Sequence, residues 1–159
     1  MTAQQVKWLL NGLLYMNIHT GNNTSGEIRG QISAVQKLQF IARLNGANER
    51  PTPVATSGQG AATLVLDNNQ LKLDLNYYGL TGAPTMAHIH GPATTEQATG
   101  VLVGIDSLAV NPPLAASGRY SGTLTLTSAQ ILNLLDGLTY LNIHTGLNGG
   151  GEIRGQITP

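Results

Sequence analysis

Four histidines are the residues of this chain whose type and spacing could do chemistry. His88 and His90 stand one residue apart in "TMAHIHGP", while His19 and His144 both stand in the string "NIHTG", which occurs twice. Imidazole nitrogens are ligands for zinc and copper. Alternation along a strand puts residues i and i+2 on one face, about 7 Å apart. Such a pair can chelate one ion, and a histidine from another strand would complete a three-histidine site.

His144 is the third ligand that we expect, and His19 is its equivalent in the repeat. In "YLNIH" the two apolar residues fall on one strand face, while Tyr140, Asn142 and His144 fall on the other. We expect this outer polar face to form a surface site for copper or zinc. The alternative is that the histidines only make hydrogen bonds that orient loops. The candidate metal ligands are His88, His90 and His144.

Glu152 and Arg154 in "GEIRGQI" share the polar face of the next predicted strand. In a structural role, which we favour, they hold each other or a neighbouring carbonyl and contribute about 0 to 1 kcal/mol as an exposed pair. In a functional role, Arg154 attracts an anion towards the metal and Glu152 orients a ligand imidazole. Tyr140 and Asn142 lie on the same face and are candidates for the same supporting roles.

The composition excludes several classes of function. Charged residues make up 10% of the chain, with eight acidic and eight basic residues, so no basic stripe is available for nucleic acid. The absence of cysteine excludes disulfides, thiolate metal sites and cysteine nucleophiles. We expect no membrane span and see no signal peptide at the start of the chain. No catalytic triad, phosphate loop or paired carboxylates appear, so we assign no catalytic residue.

Short alternating segments between turn residues predict an all-β domain that positions these side chains. Strands are predicted at residues 40–44, in a hairpin around the turn at residues 67–70, and in "TMAHIH", "GVLVGI" and "GRYSGTLTL". The last two strands, "LTYLNIHT" and "GEIRGQI", form a hairpin with a glycine-rich loop. This pattern predicts an antiparallel β-sandwich or small barrel.

One short helix is predicted in each copy of the repeat. Thr127 followed by Gln130 is a capping-box signature, and Gly137 stands where a helix would end. Thr2 and Gln5 repeat the box near the start of the chain. The helix is therefore part of the repeated unit.

The repeat divides the chain into one complete unit and part of another. Residues 10–33 match residues 135–158 almost throughout, at a constant offset, whereas residues 40–120 occur once. We therefore predict a partial copy, the C-terminal third of a unit, at residues 1–33. A complete domain follows at residues 34–159.

The quoted motifs also resemble a known family. "FIARLNGANERP", "LNYYGLTGAPTMAHIHGPA", "GVLVGI" and "LLDGLTYLNIHTGLNGGGEIRGQI", in this order, resemble the CHRD (chordin-type) domain over residues 38–157. The resemblance implies an extracellular β-rich module, often in multidomain or tandem proteins, without a settled activity. The H-x-H strand with a third histidine also looks distantly like the copper side of Cu,Zn superoxide dismutase, a β-sandwich. The other ligands and the disulfide of that enzyme are not recognisable here.

Two functions are compatible with these features. The favoured one is a non-catalytic extracellular module whose partners are copies of itself, neighbouring CHRD-type units or another extracellular protein. Its residues 15–32 would take, in a neighbouring molecule, the place that residues 140–157 fill at home. The simpler expectation is that they pack beside their own domain. The alternative function is a copper-dependent redox enzyme of superoxide-dismutase type, in which Arg154 steers a small anion.

Overall fold

The computed structural model describes residues 1–10, 12–32 and 37–159, and its elements are mostly strands. The expected boundary between residues 33 and 34 lies outside the described residues. The helices are α1 (Ala3–Leu10) and α2 (Ser128–Leu135). The strands are β1 (Leu14–Ile18), β2 (Ile28–Ile32), β3 (Leu38–Asn45), β4 (Gln59–Asp67), β5 (Gln70–Tyr78), β6 (Pro84–His90), β7 (Val101–Gly104), β8 (Gly118–Thr125), β9 (Tyr140–Thr145) and β10 (Ile153–Gln156).

Eight strands form one antiparallel sheet in the order β7-β6-β9-β10-β3-β4-β5-β8. The sheet curls until the chain after β7 meets the opposite edge, where Ala109 bridges Tyr120 in β8. This architecture confirms the predicted all-β class, a sandwich or small barrel. The strand order also puts β9 and β10 between β6 and β3, so the last hairpin supplies two interior strands of the sheet and joins its two parts.

Alternating apolar residues fill the space inside the curled sheet. Leu64 of β4 and Leu73 of β5 lie opposite each other and are fully buried. The turn between these strands puts Asn68 at φ 56°, a conformation that asparagine tolerates better than most residues. The same alternation puts Ile89 of β6 in the core, which confirms that His88 and His90 face the other side.

Helix α2 covers one end of the core, and its predicted capping box is confirmed. The Thr127 side chain accepts from the backbone of Gln130, whose side chain accepts from the backbone of Thr127. Ile131 and Leu134 are the buried residues of this helix. Gly137 follows at φ 69°, the left-handed conformation that glycine supplies after a helix.

The partial copy folds like the second copy but outside the eight-stranded sheet. Helix α1 packs against α2 and buries Val6. Trp8 stands on α1 with 43% of its surface exposed, at the position that Asn133 occupies in α2. Strands β1 and β2, here called the first hairpin, form a sheet of their own. Strands β9 and β10 are called the second hairpin.

Among the described residues, neither helix has the length and apolar character that crossing a membrane requires.

Candidate three-histidine metal centre

Strands β6 and β9 are neighbours, and their register brings three histidines onto one patch of the sheet. His90 lies opposite Tyr140, and His144 lies opposite Met86, two residues before His88. All three side chains point away from the core, because the residues between them are core residues. The sequence predicted the shared orientation of these histidines, and the structure adds that their strands are adjacent.

The three imidazoles are close enough to share one ion. One ligand nitrogen from each of His88, His90 and His144 lies within 4.8 Å of the others. His88 Nδ1 is 3.3 Å from His144 Nε2, which is about the separation of two nitrogens bound tetrahedrally to one zinc ion. The ring centroids are 5.2 to 5.9 Å apart.

Backbone carbonyls orient two of the rings. His90 Nδ1 lies 2.9 Å from the carbonyl oxygen of Thr99, and His144 Nδ1 lies 3.1 Å from that of Gly149. A carbonyl can only accept, so each Nδ1 carries the proton and each Nε2 is unprotonated, with a lone pair that can accept a hydrogen bond or bind a metal. Protein ligands to metals are commonly fixed in this way through their second ring nitrogen.

The Nε2 atom of His90 is the unsatisfied polar atom of this cluster. It is buried and has no hydrogen-bond partner within the described ranges. A buried nitrogen lone pair without a partner is costly, and a metal ion would use it. The donor set of three imidazoles suits zinc or copper.

Burial favours the neutral form of two of the imidazoles. It lowers the pKa of His90, whose bond to Thr99 acts in the opposite direction. Burial also lowers the pKa of His144, opposed by the bond to Gly149. The neutral form is the one that binds metal, so the environment of the site favours ligation over protonation.

The histidine face is less exposed than the sequence indicated. His90 is 7% exposed and His144 6%, and His88 is half-buried. The loop at residues 91–100 lies over this face, since its Thr99 bonds to His90. The site is therefore a partly covered recess and not an open surface patch, and His88 is its most accessible member.

Arg154 is buried beneath this loop. Its guanidinium lies 3.6 Å from the ring centroid of Tyr140 and donates a 2.8 Å hydrogen bond to the carbonyl of Thr94. The Tyr140 ring also stacks on His90, with centroids 4.9 Å apart and planes within 3°. Arg154 is only 2% exposed. The contact with a carbonyl agrees with one of the structural roles expected from the sequence. The expected exposed pair is wrong, because Arg154 and Glu152 are both buried and the ion pairs among the described residues do not join them.

Glu152 is held by threonines. Its carboxylate accepts hydrogen bonds from the hydroxyls of Thr56, Thr81 and Thr145 at 2.5 to 2.7 Å, and from the Thr81 backbone at 2.9 Å. Burial alone would raise the pKa of Glu152, but these hydrogen bonds bring it down to about 2. Asn148 also donates to Glu152, and the loop carbonyl of Gly149, not Glu152, orients His144.

Asn142 reaches a buried carboxyl group that sequence reasoning missed. Its amide donates to Glu49 at 3.2 Å, and Glu49 is 3% exposed. Burial raises the pKa of Glu49 to about 7, although Asn142 and the charge of Arg154 lower it. Glu49 stands in a turn-rich segment far from β9 in sequence, and no spacing signal connects the two.

His19 does not join the histidine cluster, but its local contacts within the first hairpin repeat those of His144 within the second. His19 Nδ1 lies 2.9 Å from the carbonyl of Thr24, as His144 does from Gly149, and Arg29 lies 3.7 Å from the Tyr15 ring centroid. The first hairpin therefore reproduces the internal contacts of the second. It lacks the strands on either side, and with them the other two histidines.

The chain is similar to one family of domains and to two curated proteins. The model of the CHRD domain matches residues 1–32 and 40–157. Chordin of Danio rerio is 31% identical over 173 residues, and Chordin of Xenopus laevis is 30% identical over 169 residues. Each alignment covers 98% of this chain but 17% of the relative, so the chain spans a small part of their length. No solved structure matches.

Proposed function

Because this chain belongs to the CHRD domain family, we propose that it is an extracellular binding module that assembles with other CHRD-type units. Its first hairpin makes the contact, by taking in a neighbouring molecule the place that the second hairpin fills at home. The curated relatives are much longer proteins, so this role concerns the module alone. Copies of this chain are the simplest partner.

The exposed apolar face of the first hairpin carries this proposal. Met16 is 64% exposed and Ile18 50%, whereas their equivalents in the second hairpin, Leu141 and Ile143, are fully buried. Exposed apolar patches of this kind commonly mark interaction sites. The second hairpin has β6 paired at one edge, β3 paired at the other and the core against its apolar face, and the first hairpin forms a separate two-stranded sheet.

The experiment is sedimentation velocity of the full chain over a wide concentration range. We expect wild-type protein to form dimers or larger species. Met16→Lys/Ile18→Lys should stay monomeric, because the contact would bury two unpaired lysine charges. Leu147→Lys/Val101→Lys adds the same two charges at residues that are 80% and 56% exposed, outside the first hairpin. This control should associate like wild type. A wild-type chain that stays monomeric at every concentration would contradict the assembly proposal.

The geometry also supports a second property of the module, binding of one zinc or copper ion by His88, His90 and His144. The unpartnered Nε2 of His90 is the observation that favours it. The ion would tie β6 to β9, because the ligands come from both strands. Binding would thus stabilise the middle of the sheet.

Titration of metal-free protein with zinc and copper tests the site. We expect one ion per chain, a higher unfolding temperature with metal, and loss of both in His88→Ala/His90→Ala. His19→Ala is the matched control and should keep the stoichiometry, since His19 lies outside the cluster. Equal binding by wild type and the double variant would overturn the assignment.

The redox alternative has less support. It needs Arg154 to attract an anion, and Arg154 is buried against Tyr140 and Thr94. A superoxide-consumption assay with copper-loaded protein distinguishes the two functions. A non-catalytic module should give no turnover above free copper, whereas turnover that His88→Ala abolishes would favour the enzyme.

A further inference from the structure

We propose that the two hairpins are interchangeable within one chain, so that the first can close the sheet in place of the second. The domain would then exist in two closed forms. In the linear form the second hairpin lies between β6 and β3, as described above. In the permuted form the first hairpin lies there, and the second is displaced. This inference goes beyond assembly between molecules, because the first hairpin here acts on its own domain.

Every polar side chain of the second hairpin that forms a hydrogen bond with the rest of the domain has an identical counterpart in the first hairpin. In the second hairpin, Asn142 bonds to Glu49, Glu152 to Thr56 and Thr81, Arg154 to Thr94, and Gln156 to the carbonyl of Ala93. The counterparts are Asn17, Glu27, Arg29 and Gln31. The first hairpin would thus meet the same partners with the same groups.

The core-facing residues are also compatible. Met16 stands for Leu141, a substitution of similar volume with a flexible side chain. The isoleucines of the second hairpin are repeated without change in the first. Leu14 replaces Thr139, whose hydroxyl is buried without a hydrogen-bond partner in the described part of the chain. An apolar residue suits that position at least as well.

The first hairpin already has the backbone shape that the place requires. Ile18 pairs with Ile28 and Asn17 with Arg29, the same register as Ile143 with Ile153 and Asn142 with Arg154. The loops match as well, since Gly26 at φ 123° corresponds to Gly151 at φ 127°. The first hairpin would enter the sheet as a formed unit without new folding of its own.

The chain connection allows the replacement. β10 runs antiparallel to β3, with Arg154 opposite Asn45 and Thr158 opposite Ile41, so it ends heading towards Leu38, where β3 begins. In the same place residue 32 would lie beside Ala42, about 14 Å from Leu38. The six Cα–Cα steps from residue 32 to residue 38 can reach about 20 Å. The connection would be an ordinary loop between two neighbouring antiparallel strands.

The permuted form has a chemical consequence at the metal centre. His19 would take the position of His144 beside His88 and His90, since it stands at the equivalent place in the register. The displaced second hairpin would be the exposed one, with its own apolar face uncovered. One hairpin of the two is therefore always available for a neighbouring unit.

Two equivalent glycines give a test in the full chain. A Cβ atom on Gly155 would lie 2.5 Å from the carbonyl oxygen of Arg43, so Gly155→Val cannot stay between β9 and β3. A Cβ on the equivalent Gly30 would meet nothing within 4 Å, so Gly30→Val is the matched control. Trypsin provides the readout, because Arg29 and Arg154 precede these two positions and only Arg154 is buried.

At concentrations low enough for the chain to be monomeric, wild type and Gly30→Val should be cleaved at Arg29 and protected at Arg154, as mass spectrometry of the fragments would reveal. Gly155→Val should remain a folded monomer with the pattern reversed, cleavage at Arg29 falling about tenfold or more. It should also keep one bound metal ion that is lost on adding His19→Ala. Gly30→Val/Gly155→Val, in which neither hairpin fits, should unfold.

Three results would overturn the proposal. The first is general cleavage of Gly155→Val, including at Arg43 and Arg119, as in the double variant. The second is an unchanged wild-type pattern in Gly155→Val and in the bulkier Gly155→Phe. The third is a Gly155→Val dimer with Arg29 protected. The dimer would refute closure within one chain while supporting exchange between molecules, so the two proposals are separable.

Discussion

Buried polar groups behind the histidine face set the chemistry of individual residues in this domain. Glu49 is almost fully buried, and among the described side chains its carboxyl accepts a hydrogen bond from Asn142. Glu152 is equally buried but holds several hydroxyl groups. The two carboxyls therefore have opposite pKa shifts, upwards to about 7 for Glu49 and down to about 2 for Glu152. Burial dominates at Glu49, and hydrogen bonds dominate at Glu152.

The raised pKa of Glu49 predicts a stability that depends on pH. The folded state binds this proton more tightly than the unfolded state, so stability falls as pH rises from about 4.5 to about 7. Glu49→Gln keeps an acceptor for Asn142 and removes the charge. We expect this variant to be more stable than wild type by about 1 to 3 kcal/mol at pH 8, and similar at pH 5.

Urea unfolding at both pH values measures this difference. Asp136→Asn, which neutralises an exposed carboxyl after α2, is the control and should shift stability little at either pH. An equal effect of Glu49→Gln at pH 5 and pH 8 would mean that the Glu49 carboxyl does not titrate in this range.

Side-chain direction could be predicted from the sequence at this scale, but partners could not. Alternation in "AHIH" and "YLNIH" correctly put three histidines on polar strand faces. The carbonyls of Thr99 and Gly149 that orient two of them come from loops, where backbone groups leave no pattern in the residue types. Burial of Arg154 depends on the same loop at residues 91–100, so a residue that could have met solvent is enclosed instead.

At the scale of elements, the second copy supplies two strands of the eight-stranded sheet, whereas the first copy forms a sheet of its own. Helix α2 buries two residues in the core, and α1 contacts the domain mainly through α2. Both helices have the same capping box, Thr127 with Gln130 and Thr2 with Gln5. Equal local structure thus occurs in unequal tertiary environments.

This difference predicts unequal effects of removing the two caps. Thr127→Ala should lower the free energy of unfolding of the domain by about 1 kcal/mol, a typical loss for an N-cap. Thr2→Ala removes the same hydrogen bond from α1. It should lower the free energy of unfolding of the domain by only a few tenths of the loss expected for Thr127→Ala, because α1 can fray while the sheet stays closed. Denaturant unfolding followed by far-ultraviolet circular dichroism compares the variants. Equal losses would mean that α1 unfolds together with the sheet.

The elements themselves were predictable where local signals are strong. The capping box, the turn at residues 67–70 and the alternating strands appear as expected. The order of strands in the sheet was not predictable, because β6 and β9 are separated by β7, β8 and α2 along the chain. Pairing over such distances depends on the whole core and leaves no signal in short sequence windows.

The whole molecule combines balanced charge with one uncovered apolar hairpin. Its formal net charge is +0 at pH 7, and the sequence pI is about 6.9. Repulsion between molecules is therefore weakest near neutral pH. The exposed face of the first hairpin then has little electrostatic opposition to contact with another molecule.

Solubility should accordingly pass through a minimum near pH 7, which precipitation by polyethylene glycol between pH 5 and pH 9 would measure. Met16→Lys/Ile18→Lys should be more soluble at pH 7 than Leu147→Lys/Val101→Lys, although both add two charges. An equal gain in solubility for the two variants would mean that net charge alone, and not the first hairpin, causes the minimum.

Trp8 gives this molecule an optical property that follows from the asymmetry of its two copies. It is the single tryptophan of the chain, and the equivalent residue of α2 is Asn133. Tryptophan emission therefore reports on the first copy and is nearly silent about the second. Trp8 is partly buried on α1, and α1 packs against α2, so loss of this packing should shift the emission of Trp8. The protein thus carries its own fluorescent label on the segment that distinguishes it from a single unit.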